Sequence, residues 1–215
     1  MSDWKKDNLR FLLNKLGGYP DNFQILDLGV GKDPFSEATV RFKNVVKMDI
    51  LPYDAVNLVG DFNKGIPFKN NHFDCVLVNN VLEHCSTPPQ LLREINRVLK
   101  PGGVLIGTVP FIIQIHQEPH DYFRYTEYCL RNLFKDAGFK DCSINNLGHS
   151  LSIYNNFQGL FFWKLLNSPL NIFEKTLIKI IWKGQRILIK LMGKIYQKCL
   201  QDDILVQGYG FVVEK

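Results

Sequence analysis

The chain has 215 residues, of which 46% are hydrophobic and 22% charged, and this favours one folded domain over residues 1–215 and argues against extensive disorder. The net charge of +5 is concentrated in residues 155–200, where eight basic residues accompany one acid, so nucleic-acid binding is not expected. Five scattered cysteines without a CxxC pair predict neither disulfides nor a metal site. The polar N-terminus predicts no signal peptide, and a cytoplasmic protein is expected.

The pattern of apolar residues predicts strands that alternate with helices. The predicted strands cover residues 23–28, 44–49, 56–59, 73–78, 104–109, 139–145 and 204–213. The predicted helices cover residues 3–16, a segment from about 35, 87–100 and 126–138. This alternation predicts an α/β fold with a mainly parallel seven-stranded sheet and helices on both faces. The core is expected at about 20–145 plus a last strand at 204–214, with a helical insertion at about 150–203 before that strand.

The first strand ends in a turn that contains two glycines, Gly29 and Gly31. Glycine adopts positive φ angles without strain, and it has no Cβ that would hold a ligand away from the backbone. A helix that begins near Phe35 would direct its unpaired N–H groups toward the same place. The turn therefore predicts a binding site for a cofactor that contains a nucleoside.

Acidic and amide side chains follow the ends of successive predicted strands. They are Asp27, Asp49, Asp61, Asn79 and Asn80. Ligands of open α/β sheets bind beyond the carboxyl ends of the strands, so these side chains are candidates for cofactor binding. Asp49 lies 18 residues after Gly31, a spacing at which a carboxylate reaches the two hydroxyls of a ribose. Asp61 would accept an N–H from the edge of a base, with Ile50 or Phe62 against its face.

Two other interpretations apply to these residues. Taken singly, each acid is more simply a turn residue, and only the agreement of three acids with the glycine turn favours a site. A nicotinamide dinucleotide is the alternative ligand, but its fold requires a small residue three positions after Gly31, where this chain has Pro34. No tyrosine is followed by a lysine four residues later, so the residue pair of short-chain dehydrogenases is missing as well.

These motifs resemble those of class I S-adenosylmethionine-dependent methyltransferases over about residues 20–145. The matching segments are Asp27-Leu-Gly-Val-Gly, Asp49, Gly60-Asp61, Phe73-Asp-Cys-Val, Val81-Leu-Glu-His and Arg97-Val-Leu-Lys-Pro-Gly-Gly. The resemblance implies a Rossmann-like fold, S-adenosylmethionine as cofactor and methyl transfer as activity. The chain departs from the family at Asp33, where a third glycine is common.

The resemblance also implies roles for individual residues. It places Gly29 and Gly31 beside the methionine part of the cofactor, Asp49 on the ribose and Asp61 near the adenine. The residues implied to line the sulfonium are Asn79, Asn80, Val81 and His84.

The predicted loop after the fifth strand, residues 116–126, is the expected place for the substrate. Its candidate catalytic residues are His116, His120, Tyr122 and Arg124. One histidine would act as a base, because imidazole titrates near neutral pH. Arg124 would bind an anionic or hydroxyl-rich substrate, with Tyr122 and Tyr125 as walls. The alternative is that Arg124 pairs with an acid of the same loop and only stiffens it.

The His-x-Asp-Tyr-x-Arg-Tyr-Thr stretch of this loop resembles methyltransferases of bacterial surface-glycan pathways and suggests a sugar substrate. The expected function is in-line methyl transfer to an oxygen or nitrogen of a small molecule or glycan. Orientation alone supplies about 7–11 kcal/mol to such a displacement. The alternatives are a nicotinamide-dependent oxidoreductase and a non-catalytic module that binds a membrane or partner protein. The sequence predicts no oligomeric state.

The insertion contains a basic amphipathic helix within residues 165–200. Its basic residues recur in steps of three or four, at Lys175, Lys179, Lys183, Arg186, Lys190, Lys194 and Lys198. This spacing places them on one helical face. Two interpretations stay open: the helix packs on the domain with a solvated basic face, or it lies on an anionic membrane surface as a peripheral contact.

Overall fold

The computed structural model describes residues 3–32, 35–199 and 205–215 of the protein. Its strands are β1 (Gln24–Leu28), β2 (Asn44–Asp49), β3 (Leu58–Val59), β4 (Phe73–Asn79), β5 (Leu99–Pro110), β6 (Cys142–Leu147) and β7 (Gly208–Glu214). Its α-helices are α1 (Asp3–Leu16), α2 (Ser36–Thr39), α3 (Pro88–Val98), α4 (Glu127–Asp136), α5 (Ser150–Leu166) and α6 (Ile172–Cys199). Short 3-10 helices follow β3 and β4, at Phe62–Lys64 and Leu82–His84. The predictions that fall outside the described residues concern Asp33, Pro34, Ile204 and the side chains of Lys194 and Lys198.

In the described part of the chain, the strands form one seven-stranded sheet in the order β3-β2-β1-β4-β5-β7-β6. The first five in this order are parallel, and β7 is antiparallel to both of its neighbours. The predicted Rossmann-like, mainly parallel sheet is therefore confirmed. β1 lies between β2 and β4, and all three strands are parallel. Their last residues, Leu28, Asp49 and Asn79, therefore lie at the same carboxyl-terminal edge of the sheet.

Both faces of the central strands are buried. Residues 75–78 of β4 are at most 2% exposed, although successive side chains of a strand point to opposite faces. A strand covered on both sides has a continuous apolar sequence, and this is why β4 is predictable. Four residues of α1 belong to the same hydrophobic core cluster as Cys75 and Leu77 of β4, and they are Trp4, Phe11, Leu12 and Leu16. Their helical spacing gives α1 the apolar stripe that covers one face of the sheet.

Several predicted elements differ in extent from those observed, among them β5 and β6, which were predicted at 104–109 and 139–145. The helix after the glycine turn is one turn long, Ser36–Thr39, because β2 already begins at Asn44. A single turn does not supply the helix N-terminus that the sequence predicts for the site. β3 is the outermost strand of the sheet, has only two residues, Leu58–Val59, and pairs with one neighbour. The last strand is observed from Gly208 onward.

The described residues form two compact units, and the first contains the sheet and consists of the chain up to Leu147 together with Gly208–Lys215. The second unit, Gly148–Gln207, contains the hairpin of α5 and α6. Between these helices the rings of Phe162 and Trp182 stack, with centroids 5.7 Å apart. None of the described helices is both long enough and apolar enough to cross a membrane. A single domain over residues 1–215 stays a prediction.

Candidate active site

The glycine turn after β1 adopts the backbone that only glycine takes without strain. Gly29 and Gly31 have φ angles of +69° and +59°. A Cβ on Gly29 would lie 2.5 Å from Cγ2 of Val81, so this glycine allows the turn to pack against the segment after β4. A Cβ on Gly31 would meet no described atom within 4 Å. The turn is therefore packed on one side, and on the side of Gly31 the described residues leave space.

Asp49, at the end of β2, holds this turn in place. Its carboxylate is 7% exposed, and Oδ2 accepts a hydrogen bond from the backbone N of Gly31 at 2.8 Å. Oδ1 accepts from the backbone N of Leu51 at 3.0 Å. Each carboxylate oxygen keeps a further lone pair, because a carboxylate offers about four acceptor positions. The predicted partners Gly31 and Asp49 are thus brought together, and acceptor capacity is left over.

The end of β4 carries a polar group that lacks a partner. Oδ1 of Asn79 accepts a hydrogen bond from the hydroxyl of Thr108 on β5. Nδ2 of Asn79 is buried and donates to no other described residue. The next residue, Asn80, has a φ angle of +55°, and its backbone N donates to the carbonyl of Thr108 at 2.9 Å. A buried donor without an acceptor is costly, so Asn79 is suited to meet a ligand.

The segment after β3 lies beside the same edge. Gly60 N donates to the Asp49 carbonyl at 2.9 Å, which ties this segment to the end of β2. Asp61 caps the following 3-10 helix, and its Oδ1 accepts from the backbone N of Asn63 at 3.0 Å. Phe62 is half-buried and Ile50 is 56% exposed. The third predicted acid, Asp27, is half-buried in β1.

Arg124 and Asp121 form the centre of the loop after β5. The two guanidinium NH groups of Arg124 donate to Oδ1 and Oδ2 of Asp121 at 2.6 and 2.8 Å. Arg124 also donates to the backbone carbonyls of Ile113, Gln114 and Phe123. This pairing with Arg124 holds the pKa of Asp121 well below its usual range. Arg124 thus has the loop-stiffening contacts of the alternative interpretation, and its contact with substrate stays a prediction.

The loop lies against the 3-10 helix Leu82–His84. The backbone N of Tyr122 donates to the carbonyl of Glu83 at 2.8 Å, and the hydroxyl of Tyr125 donates to the carbonyl of Leu82 at 2.8 Å. One ring nitrogen of His84, Nδ1, lies 2.6 Å from the carbonyl of His120. These bonds bring the predicted substrate loop and the predicted sulfonium wall together.

The histidines of the loop differ in their surroundings. His116 lies with Nδ1 3.3 Å from Oδ2 of Asp121, and its backbone N donates to the same oxygen at 2.8 Å. His120 is exposed, and its Nδ1 lies 2.9 Å from the hydroxyl of Tyr122. His116 is therefore held by a carboxylate, whereas His120 presents its ring to solvent.

Glu83 is the residue that sequence reasoning missed. Its side chain is 0% exposed, and neither carboxylate oxygen has a hydrogen-bond partner among the described residues. Burial raises the pKa of Glu83 to about 8 and lowers the pKa of His84. In the sequence Glu83 is visible only as part of the Leu-Glu-His motif, and nothing there indicates its burial.

Similarity to known proteins decides the family. The family model described as a methyltransferase domain matches residues 26–107. A mitochondrial 2-methoxy-6-polyprenyl-1,4-benzoquinol methylase from Dictyostelium discoideum is 26% identical in an alignment that covers 48% of this chain and 43% of that protein. The ubiquinone/menaquinone biosynthesis C-methyltransferase UbiE from Vibrio cholerae is 30% identical in an alignment that covers 72% of this chain and 77% of that protein. The chain belongs to the class I S-adenosylmethionine-dependent methyltransferases.

A solved structure has the same methyltransferase fold. An S-adenosylmethionine-dependent methyltransferase from Archaeoglobus fulgidus matches with a TM-score of 0.61 at 17% identity, and the match covers 96% of this chain and 92% of that one. Identity this low shows the fold alone. The chain spans less than half the length of the D. discoideum relative. The substrate of this methyltransferase therefore has to be argued from its own residues.

S-adenosylmethionine is the cofactor of this methyltransferase, and the edge of the sheet fits it. A ligand with both hydroxyls and acceptor atoms suits this edge. Gly31 leaves space among the described residues, Asp49 has acceptor positions to spare, and the buried Nδ2 of Asn79 has no acceptor among the described residues. When bound, the cofactor supplies a methyl group already activated by a sulfonium. Because the chain belongs to this family, S-adenosylmethionine takes the place of the nicotinamide dinucleotide that the sequence left as the alternative ligand.

Proposed function

We propose that this methyltransferase binds the ribose of S-adenosylmethionine through Asp49 and transfers the methyl group at the neighbouring end of β4. The buried Asp49 carboxylate, hydrogen-bonded to Gly31 N at 2.8 Å, carries the proposal, because it joins the glycine turn to a charged acceptor. The remaining lone pairs of Asp49 would accept both ribose hydroxyls. Gly29 and Gly31 would let the methionine part approach the backbone.

The other predicted residues complete the cofactor site in this proposal. Asp61 would accept from the adenine amino group, with Ile50 and Phe62 against the ring. The residues assigned to the sulfonium end are Asn79, Asn80, Val81 and His84. Asp27, half-buried at the sheet edge, would face the amino group of the methionine part.

We propose that the methyl acceptor is a hydroxyl or amine of a small molecule or glycan. A hydroxyl has to lose its proton during the transfer, and the exposed imidazole of His120 would accept it. The Tyr122 hydroxyl, 2.9 Å from His120 Nδ1, would orient that ring. Beside them the exposed ring of Phe123, stacked on the buried ring of Tyr125 with centroids 5.6 Å apart, would offer an aromatic surface to a sugar ring.

Product analysis by mass spectrometry tests this function. The protein is incubated with S-adenosylmethionine and sugar nucleotides, cell-envelope lipids or benzoquinols, and a substrate is expected to gain one methylene. A His120→Gln variant should lower kcat about 100-fold, which is the lower end of the contribution expected from a general base. The Kd for S-adenosylhomocysteine should stay unchanged. His72→Gln, a histidine outside the site, is the matched control. Binding of NAD in place of S-adenosylhomocysteine in a calorimetric titration would refute the proposal.

The second candidate is methylation of a ring carbon of a quinol. The observation that favours it is the 30% identity to a protein named a ubiquinone/menaquinone biosynthesis C-methyltransferase. Transfer from cofactor labelled with carbon-13 in its methyl group separates the candidates, because methyls on oxygen, nitrogen and carbon have distinct NMR shifts. A label found on carbon would show that the acceptor is a ring carbon and not a hydroxyl or amine. The proposed cofactor site would be unaffected by that result.

For the helical unit we propose a peripheral contact with an anionic membrane surface. Large apolar side chains of α5 are exposed: Tyr154, Phe157, Phe161 and Trp163. On α6, exposed Ile180, Ile187 and Leu191 are accompanied by exposed basic residues. Those bases are Lys179, Lys183, Arg186 and Lys190. Apolar side chains beside basic ones match the acyl boundary and headgroups of anionic lipid.

Vesicle flotation tests this contact. The protein should float with vesicles of phosphatidylglycerol and phosphatidylcholine and stay in solution with phosphatidylcholine alone. Lys179→Glu, Lys183→Glu and Lys190→Glu together should abolish flotation, since each basic residue near the surface contributes about 1 kcal/mol. The same charge change at the exposed lysines Lys43, Lys69 and Lys135 is the control. A stable dimer by light scattering, without flotation, would show that a second copy covers this surface instead.

A further inference from the structure

The side chains of Glu83, His84 and His116 converge in the candidate active site. Each of these residues offers one ligand atom, and the three atoms lie within 4.8 Å of one another. The rings of His84 and His116 are nearly perpendicular, with centroids 4.8 Å apart. One carboxyl group and two imidazoles therefore lie close together in this cluster.

The donors of this cluster lack partners within the described protein. Both oxygens of the fully buried Glu83 and Nε2 of His84 are buried and form no hydrogen bond there. The closest approach between them is 3.7 Å, from His84 Nε2 to Glu83 Oε1. Arg124, whose charge interacts with Glu83, has its guanidinium engaged by Asp121. A buried carboxylate without hydrogen bonds is unfavourable unless a cation or a proton joins it.

The outer contacts of the two imidazoles match those of metal-binding histidines. Such a histidine donates its other N–H to a backbone carbonyl or a carboxylate, which sets the tautomer and orients the ring. His84 has the carbonyl of His120 at 2.6 Å from Nδ1. His116 Nδ1 has the Gln114 carbonyl as its hydrogen-bond partner at 3.3 Å and also lies 3.3 Å from Asp121 Oδ2. These contacts leave the lone pair on Nε2. Asp121 is in turn fixed by two bonds from Arg124.

We propose that Glu83, His84 and His116 form a binding site for a divalent transition-metal ion of the zinc type. Two imidazoles and one carboxylate are ligands that suit zinc, and three protein ligands leave a fourth position open. In a tetrahedral zinc site the ligand atoms lie about 3.4 Å apart, so small side-chain rotations would close this cluster on an ion. The ligands come from two segments that meet only when the loop lies on Leu82–His84.

The role of the ion in catalysis rests on the proposed function. An acceptor hydroxyl in the open position would become more acidic, as water does on zinc. Its O–H proton would pass to His120, the O–CH3 bond would form, and the C–S bond of the sulfonium would break. The electron pair would stay on sulfur, and S-adenosylhomocysteine would leave. Asp121 and Arg124 are positioning residues, because they act through His116.

Metal titration of the protein tests the site without any activity assay. After treatment with EDTA and dialysis, calorimetry with zinc chloride should show one ion per chain, and cobalt should give the visible absorption of a tetrahedral site. Glu83→Gln and His84→Gln should each weaken zinc binding at least about 100-fold, since removal of even an outer partner costs 10- to 100-fold. His120→Gln, in the same loop but outside the cluster, should bind zinc as the wild type does.

Further measurements distinguish failure of the proposed metal site from failure of the proposed cofactor site. Zinc should raise the melting temperature of the wild type and leave that of Glu83→Gln unchanged, because only a bound ion stabilises the fold. Equal zinc affinity in the wild type and both ligand variants would overturn the proposal, as would the absence of stoichiometric binding. Titration with S-adenosylhomocysteine is independent: its failure with zinc binding intact would refute the proposed cofactor site and leave the metal site standing.

Discussion

Replacement of Asp49 by alanine is expected to abolish cofactor binding at micromolar concentrations. The variant loses the two hydrogen bonds proposed to the ribose, and a hydrogen bond to a charged group contributes about 1.5–3 kcal/mol. It also frees the backbone N of Gly31, which Asp49 holds at 2.8 Å, so the turn loses its anchor. The Kd for S-adenosylhomocysteine should rise at least about 100-fold, measured by isothermal titration calorimetry.

Two further variants show which part of this effect belongs to the ribose. Asp49→Asn keeps an oxygen that accepts from Gly31 N but carries no charge, so it should fold like the wild type and still bind the cofactor poorly. Asp54→Ala removes a nearby exposed acid and should leave the Kd unchanged. If Asp49→Ala bound S-adenosylhomocysteine with wild-type affinity, the acid would be only a turn residue and the proposed cofactor site would be wrong.

The cofactor edge was predictable because its geometry is local to adjacent parallel strands. β1 pairs with β2 so that Leu28 lies opposite Met48, and this register puts Gly31 and Asp49 within hydrogen-bond distance. The order of strands along the chain, together with the glycine turn, is enough to place both residues at one edge. Their positions therefore follow from sequence, whereas their exact partners require coordinates.

The substrate side was less predictable because it depends on contact between distant segments. The burial of Glu83 results from the loop that contains Tyr122, whose backbone N donates to the Glu83 carbonyl. No pattern around Glu83 indicates that contact, and an acid after a strand is usually exposed. For Arg124 the sequence leaves two roles open, and only the distances to Asp121 show that its guanidinium is already engaged.

The sequence predicts a helical insertion at about 150–203 but not the bounds of α5, and the reason is a different one. Its exposed and buried positions are both apolar, as Phe157 and Phe162 show, so there is no stripe with a period of 3.6 residues. Amide residues such as Asn155 and Gln158 interrupt the apolar run further. Periodicity detects a helix with one apolar face, and this helix has no such face.

The largest loss of stability is expected from Gly107→Ala in the central strand β5. A Cβ at this position would lie 2.2 Å from the carbonyl oxygen of Val78 and 2.6 Å from Cζ of Phe211. The carbonyl belongs to the neighbouring strand β4, so it moves away only if the ladder between β4 and β5 distorts. Such overpacking costs about 1–3 kcal/mol or more, and the backbone clash puts this variant at the upper end. Urea denaturation should show a loss of about 3 kcal/mol in the free energy of unfolding.

Two variants distinguish the backbone clash from a crowded side chain. Gly18→Ala, at an exposed glycine with open space around its Cβ position, should change the free energy of unfolding by less than about 0.5 kcal/mol. The double variant Gly107→Ala with Phe211→Leu removes the ring atom and leaves the Val78 carbonyl in place. It should stay destabilised, because the backbone of a central strand cannot yield without breaking its hydrogen bonds. Full recovery of stability in the double variant would show that Phe211, and not the approach of β4, requires glycine at this position.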